Sequence, residues 1–206
     1  MEPDAVEIRV VGCLIEKQRT TPDVYPLTLN ALRLACNQST NRDPVVDYDE
    51  NTIRAGIERL VQRKWATLAS WSNRRSMKYR QTLDAALGLD EAELSVMAVL
   101  MLRGPQTPGE LKARTERLHR FGDMEQLGAT IERLAGRELV ARLERRPGQR
   151  EERYAQLLGE ASDQAEQVEE RAAAPDDNRL DRIDRIEREL RELRSAVQAL
   201  REELGT

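Results

Sequence analysis

The sequence predicts a mainly α protein with small β wings, an α+β fold of two tandem winged helix-turn-helix domains followed by a C-terminal coiled-coil helix. Three observations point there. Ile57-Glu58-Arg59-Leu60 recurs as Ile131-Glu132-Arg133-Leu134, Thr21-Pro22 recurs as Thr107-Pro108, and Tyr79 has a counterpart in Tyr154. Around each set the apolar spacing reads helix, turn, helix, helix, then two short strands about a basic loop. The end of the chain carries Leu, Ile and Val at alternating steps of three and four. The boundaries follow: domain one is residues 1–88, domain two 89–158, a linker 159–177 and the C-terminal helix 178–206.

In domain one, Ile8, Val11, Leu14 and Ile15 form the buried stripe of a helix over residues 5–18. Thr20-Thr21-Pro22 ends it, because proline fixes φ and offers no N–H. Leu29, Leu32 and Ala35 mark a second helix over 26–36, and a polar loop of turn-forming residues fills 37–44. Val45, Val46 and Tyr48 read as a short extended piece, and Asp49 as the N-cap of a third helix over 50–64. Ile53, Ile57, Leu60 and Val61 supply its stripe. Strands are expected over 65–71, with Trp65 in the core, and over 77–83, with Ser72-Asn73-Arg74-Arg75 as the wing tip.

Domain two repeats the order more compactly. Leu94, Met97, Ala98 and Met101 line the first helix, residues 103–109 break the chain, and 110–117 form the second helix. Asp123 caps the third, whose stripe is Leu127, Ile131, Leu134 and Ala135. Strands over 139–143 and 153–157 enclose a second wing at 145–150. The offset between copies is 86 from Thr21 to Thr107 but 74 from Ile57 to Ile131, so domain one holds 12 additional residues between these points. The 37–44 loop falls in that interval. A loop that its sister copy lacks is a candidate functional element.

Residues 159–177 have the Glu, Ala and Asp content of a flexible linker. Beyond them Ile183, Ile186, Leu190, Leu193, Val197, Leu200 and Leu204 form a heptad seam. A parallel pair would set Arg182 against Glu187 and Glu189 against Arg194, attractive contacts that favour a homodimer. The alternative is an amphipathic helix folded back on its own domains.

Charge separates these parts. The chain of 206 residues has a net charge of −4. Residues 1–88 carry 13 basic and 11 acidic side chains, 89–158 carry 12 of each, and 159–206 carry 8 and 14. Neither domain has the strong basic excess of a dedicated DNA binder. The acidic start, Met1-Glu2-Pro3-Asp4, lacks the form of a signal peptide, and no apolar run approaches the ~20 residues of a membrane span. A soluble cytoplasmic protein with no membrane association is expected. Cys13 and Cys36 lie in apolar helical stretches and read as small buried hydrophobes, with a disulfide as the less favoured alternative in a cytosolic chain, and His119 reads as a surface residue near a helix end. No metal site, no cofactor site and no catalytic constellation is legible, so the expectation is a non-enzyme.

A nucleic-acid interface would use the third helices for reading and the wings for phosphates. In domain one the outward face offers Asn51, Arg54 and Gln62, which can each make two hydrogen bonds to a base edge, beside Ala55 and Glu58. Arg74, Arg75 and Lys78 in one wing, and Arg145, Arg146 and Arg150 in the other, would hold phosphates. The matching helix face in domain two (Glu125, Gln126, Gly128, Ala129, Glu132 and Arg133) suits a protein partner better than DNA. In the additional loop Asn37, Asn41 and Arg42 would bind phosphate or a partner; equally, the Asn side chains would satisfy loop backbone groups.

These residues also carry a family resemblance. Gly12-Cys13-Leu14-Ile15-Glu16-Lys17-Gln18, Thr20-Thr21-Pro22, Tyr25-Pro26-Leu27, Ala35-Cys36-Asn37-Gln38 and Asn41-Arg42-Asp43-Pro44-Val45 resemble the YceH family of bacterial proteins. In domain two Leu102-Arg103-Gly104, Gln106-Thr107-Pro108-Gly109-Glu110-Leu111 and Pro147-Gly148-Gln149-Arg150-Glu151 match as well. The resemblance covers roughly residues 5–158 and implies a tandem winged-helix fold, with no catalytic or binding residues to carry over. The expected function is a DNA-binding regulator or accessory factor with double-stranded DNA as partner. The competing expectation is a protein-interaction adaptor without DNA binding.

Overall fold

The computed structural model describes residues 2–69, 77–143 and 151–159. The protein is mixed α+β, mainly helical with two small antiparallel sheets. The first repeat holds α1 (Ala5–Thr20), β1 (Leu27–Thr28), α2 (Leu29–Cys36), α3 (Glu50–Gln62), β2 (Ala66–Ala69) and β3 (Lys78–Gln81). A short α4 (Leu83–Leu87) leads to the second repeat: α5 (Glu91–Arg103), α6 (Pro108–Thr115), α7 (Met124–Gly136), β4 (Val140–Leu143) and β5 (Arg153–Gln156). The linker beyond Gly159, the heptad helix, both wing tips and Trp71 lie outside the described residues.

Side-chain caps set most helix starts. Asp4, Thr28, Asp49, Asp90, Thr107 and Asp123 each accept a backbone N–H from the first turn of the helix that follows. The third helices end alike, on non-glycine residues in the left-handed region, Lys64 (φ 63°) and Glu138 (φ 55°). Each is followed by a hairpin, β2 with β3 and β4 with β5. Tyr79 lies between Leu27 and Leu68 in the three-stranded sheet, whose order is β1-β3-β2. Tyr154 repeats this place: its N–H and C=O both bond Gln106, at 2.8 and 3.0 Å.

The structure changes how the two copies align. Thr107 caps α6, and the residue that caps α2 is Thr28, not Thr21. Helix starts are offset by 86 from Ala5 to Glu91, by 79 from Leu29 to Pro108 and by 74 from Glu50 to Met124. Seven of the 12 additional residues therefore precede α2, and five follow it. The first group includes the 3-10 turn Pro22–Val24. Proline favours the first position of a helical turn, so Thr-Pro opens one in both copies, but at different places. The second helix likewise begins at Leu29 rather than at Pro26, since Leu27 and Thr28 pair with β3. Leu83 opens α4 rather than ending a strand, and Val45, Val46 and Tyr48 form no strand.

The stripes expected on the two first helices are too narrow. Every residue from Glu7 to Ile15 is buried, and so is every residue from Glu93 to Leu102. The reason is that α1 and α5 pack against each other in the most extensive helix–helix contact among the described residues. Each helix then has its own repeat on one side and the sister repeat on the other, so both faces are apolar. The two repeats form one compact unit as a result. The packing is tight at Gly12, where a Cβ would sit 3.0 Å from Leu102 Cδ2 and 3.1 Å from Met101 Cβ. Gly12→Leu is expected to cost about 1–3 kcal/mol through overpacking, read as a lower urea midpoint at unchanged m-value. A midpoint at or above that of the parent would mean that the α1–α5 contact yields easily.

Cys13 and Cys36 are buried free thiols. His119 is half-buried and meets Phe121 edge-on at a ring-centroid distance of 4.8 Å. Trp65 is half-buried against the core. No helix among the described residues is long and apolar enough to cross a membrane.

Candidate functional site

Helix α3 turns one face into the core and one outward. Ile53, Ile57 and Leu60 are fully buried, whereas Asn51, Ala55, Glu58 and Gln62 are exposed. The outward side chains follow the helical period, so they share one side of α3. Arg54 is half-exposed and pairs with Glu50 at 2.6 Å, one helical turn away. Exposed i,i+4 pairs of this kind contribute ~0.5 kcal/mol, so Arg54 is easily released. Lys78 begins β3, half-buried, opposite Thr28 and Ala69. Arg74, Arg75, Arg145, Arg146 and Arg150 lie outside the described residues. The structure thus brings Asn51, Arg54 and Gln62 onto one helix and places Lys78 in the hairpin that follows it.

On α7 the corresponding residues differ in chemistry. Glu125, Gln126, Ala129 and Glu132 are exposed, and Met124 is 45% exposed at the helix start. Arg133, read from the sequence as part of this face, turns back instead. It bonds Glu93 and Asp90, each at 3.1 Å.

That contact belongs to a network that occurs once in each repeat. Glu7, 2% exposed, lies between Arg59 and Arg63, at 3.2 and 2.9 Å, and accepts from the Asp4 backbone N–H. Glu93, 5% exposed, meets Arg133 and Arg137 and accepts from Asp90 N–H. Glu7 to Glu93 is 86, and Arg59 to Arg133 is 74, as for the helices that carry them. Burial works against ionisation of Glu7, but the Asp4 N–H and then Arg63 and Arg59 outweigh it and hold its pKa below the ordinary value. Sequence reasoning missed both glutamates, although Asp-x-x-Glu at a helix start is the signature of a capping box.

The additional loop is directed inward. Arg42 has a fully buried side chain, and its five N–H donors all have partners. Nε donates to the Ala35 carbonyl at 3.1 Å, Nη1 to Glu16 Oε1 and the Asn41 carbonyl, and Nη2 to Glu16 Oε2 and Gln38 Oε1. A guanidinium has five such donors, so none is left for a phosphate or a partner. The expected outward role of Arg42 gives way to an inward one, because the Glu16 carboxylate on α1 needs a cation once buried. Desolvation would raise the Glu16 pKa, yet Arg42 at 2.6 Å and then Lys17 hold it below the ordinary range. Asn37 is used locally as well: it bonds the Tyr48 carbonyl at 2.8 Å and accepts from Tyr48 N–H at 3.0 Å. Asn41 is exposed, takes a left-handed conformation (φ 60°) and accepts from Arg103 of α5.

Two further contacts fasten the loop. Arg9 Nη2 donates to the Pro44 carbonyl at 2.6 Å, and Asp43 N–H donates to the Leu102 carbonyl at 2.9 Å. The loop after α2, five residues longer than its counterpart after α6, therefore bridges α1, α2 and α5, and braces one repeat against the other.

Residues 4–149 match the family model described as "Protein of unknown function, DUF480". A UPF0502 protein of Azotobacter vinelandii is 49% identical over 169 residues, covering 82% of this chain and 75% of its own length. One from Shewanella amazonensis is 44% identical over 189 residues, covering 86% and 88%. One from Pseudomonas aeruginosa is 46% identical over 172 residues, covering 84% and 77%. With residues 4–149 of its 206 matched, the chain belongs to the DUF480 family, alongside the UPF0502 proteins.

Proposed function

We propose that the chain is a tandem winged-helix protein of the YceH type that binds double-stranded DNA through its first repeat, as a regulator or accessory factor. The carrying observation is the topology of that repeat. A first helix, a short strand, two more helices and a hairpin follow in order, and the first strand pairs with the last. This arrangement leaves the outer face of α3 beside the hairpin, where a reading helix and a wing would meet a groove and its flanking phosphates. Asn51, Gln62 and a released Arg54 are the base-reading candidates. Arg74, Arg75 and Lys78 are the phosphate-contacting candidates, with Arg145, Arg146 and Arg150 from the second repeat. Pairing through residues 178–206 would present two copies of the surface to one duplex.

A second reading has its own support. The outward face of α7 carries Glu125 and Glu132 beside a largely exposed Met124, a surface that repels phosphate and suits a protein partner. In this reading the second repeat is the adaptor.

Fluorescence anisotropy with a random-sequence duplex, at low and at physiological salt, separates the two. DNA binding is expected to weaken steeply with salt. Arg74→Glu with Arg75→Glu is expected to weaken it at least tenfold and to flatten the slope of log K against log salt by about 2. Absence of binding at low salt would remove the DNA reading. An unchanged slope in the double variant would remove the first wing from it.

A further inference from the structure

Between the repeats lies a cavity of about 170 Å³, lined by the C-terminal part of α1, by α5 and α6, and by Asn41 of the bracing loop. Three arginines line it: Arg103 from the end of α5, Arg114 from α6, and the exposed Arg117 just beyond α6. Glu16 also lines it, but both of its oxygens are held by Arg42. Arg114 is balanced by Glu110 at 3.2 Å. Arg103 donates to a neutral Asn41 oxygen, and Arg117 has no ion pair or hydrogen bond among the described residues. Neither Arg103 nor Arg117 is held in an ion pair among the described residues. Burial, and then the Arg114 and Arg42 charges, hold the Arg103 pKa below its ordinary value, against the opposing pull of Glu16 and Glu110. Val99 and Leu102 give the cavity an apolar floor, which strengthens charge–charge interaction above it.

We propose that this inter-repeat cavity is a binding site for a small, multiply charged oxyanion, a metabolite bearing phosphate or carboxylate groups. The cavity is smaller than the ~300–1,000 Å³ of pockets that enclose drug-sized ligands, so the ligand is an anion of few heavy atoms. Guanidinium forks match the paired oxygens of both groups. Because Arg103 belongs to α5, Arg117 to the segment after α6, and Asn41 to the loop of the first repeat, a bound anion would tie the two repeats together. The site is independent of DNA recognition, since none of its lining residues lies on α3 or in a wing.

Isothermal titration calorimetry of the full chain tests this, with inorganic pyrophosphate and, separately, citrate, at constant ionic strength. Saturable one-to-one binding of at least one anion is expected. Pyrophosphate alone would identify a phosphate-bearing ligand, and citrate alone a carboxylate-bearing one. Arg103→Gln combined with Arg117→Gln is expected to weaken binding at least tenfold. Arg120→Gln removes the same charge from a residue outside the cavity whose side chain is 84% exposed, and is expected to bind within twofold of the parent. If the double variant folds poorly, Arg117→Gln alone carries the test, because it breaks no contact among the described residues. Failure of both anions to saturate, unchanged binding in the arginine variants, or an equal loss in Arg120→Gln would each overturn the proposal.

Discussion

Arg42→Ala is expected to lower the stability of the fold by about 3–5 kcal/mol, the range for breaking a buried ion pair from one side. The cost has two parts. The Glu16 carboxylate, whose side chain is 14% exposed, loses its bidentate partner, and the Ala35 and Asn41 carbonyls lose a donor. For a chain of this size the melting temperature should fall by about 6–20 °C. Arg42→Lys is expected to recover only part of the loss, because an ammonium cannot fork across both Glu16 oxygens and still reach the Ala35 carbonyl. A double-mutant cycle with Glu16→Ala should give a coupling of about 1–3 kcal/mol. Urea unfolding measures the free energies and thermal unfolding the melting temperature. An Arg42→Ala protein within 1 kcal/mol of the parent would show that the brace is held by Arg9 and the Asp43–Leu102 bond instead.

The second large effect belongs to Glu7. Glu7→Gln is expected to cost about 2–3 kcal/mol, the scale of charge-assisted hydrogen bonds lost to Arg59 and Arg63. The cost stays below the ~3–5 kcal/mol of breaking a fully buried ion pair, because those arginines are 36% and 25% exposed and water replaces part of the lost contact. The effect should depend on pH in a stated direction. Glu7 has a depressed pKa in the folded protein, so the native state binds fewer protons at this site than the unfolded chain does. The contribution is therefore complete above the unfolded carboxylate pKa of about 4.3 and is lost as pH falls below it. The stability gap between the parent and Glu7→Gln should be flat from pH 7 to about 5 and narrow in more acidic solution. A gap that keeps its size at pH 3 would exclude ionisation as its source.

Much of this architecture was legible in the residues, and what was not has physical causes. The third helices were readable because Ile53, Ile57 and Leu60, and Leu127, Ile131 and Leu134, obey one period, with Asp49 and Asp123 in the cap position. Local chemistry was sufficient there. The start of α2 was not readable in the same way, because its cap, Thr28, belongs also to a strand whose partner lies some fifty residues later. All-round burial of α1 and α5 required knowing that each covers the other. Arg42 misled for a related reason: in a run of Asn, Ser, Thr and Pro an arginine reads as solvated, and its anion lies on a helix 26 positions earlier. The outward residues Asn51 and Gln62 could be placed from the period alone, since an exposed face requires no partner.

The pairing of α1 with α5 also has a meaning in time. The two helix starts are 86 residues apart, from Ala5 to Glu91. At a synthesis rate of about 5–20 residues per second, α5 emerges from the ribosome roughly 4–17 seconds after α1. During that interval the nascent first repeat carries an apolar helix face with nothing to cover it. The opening helix of this chain is thus made early and completed late, and each newly synthesised molecule passes through a stage in which a holdase or a neighbouring nascent chain can reach a surface that the finished protein hides.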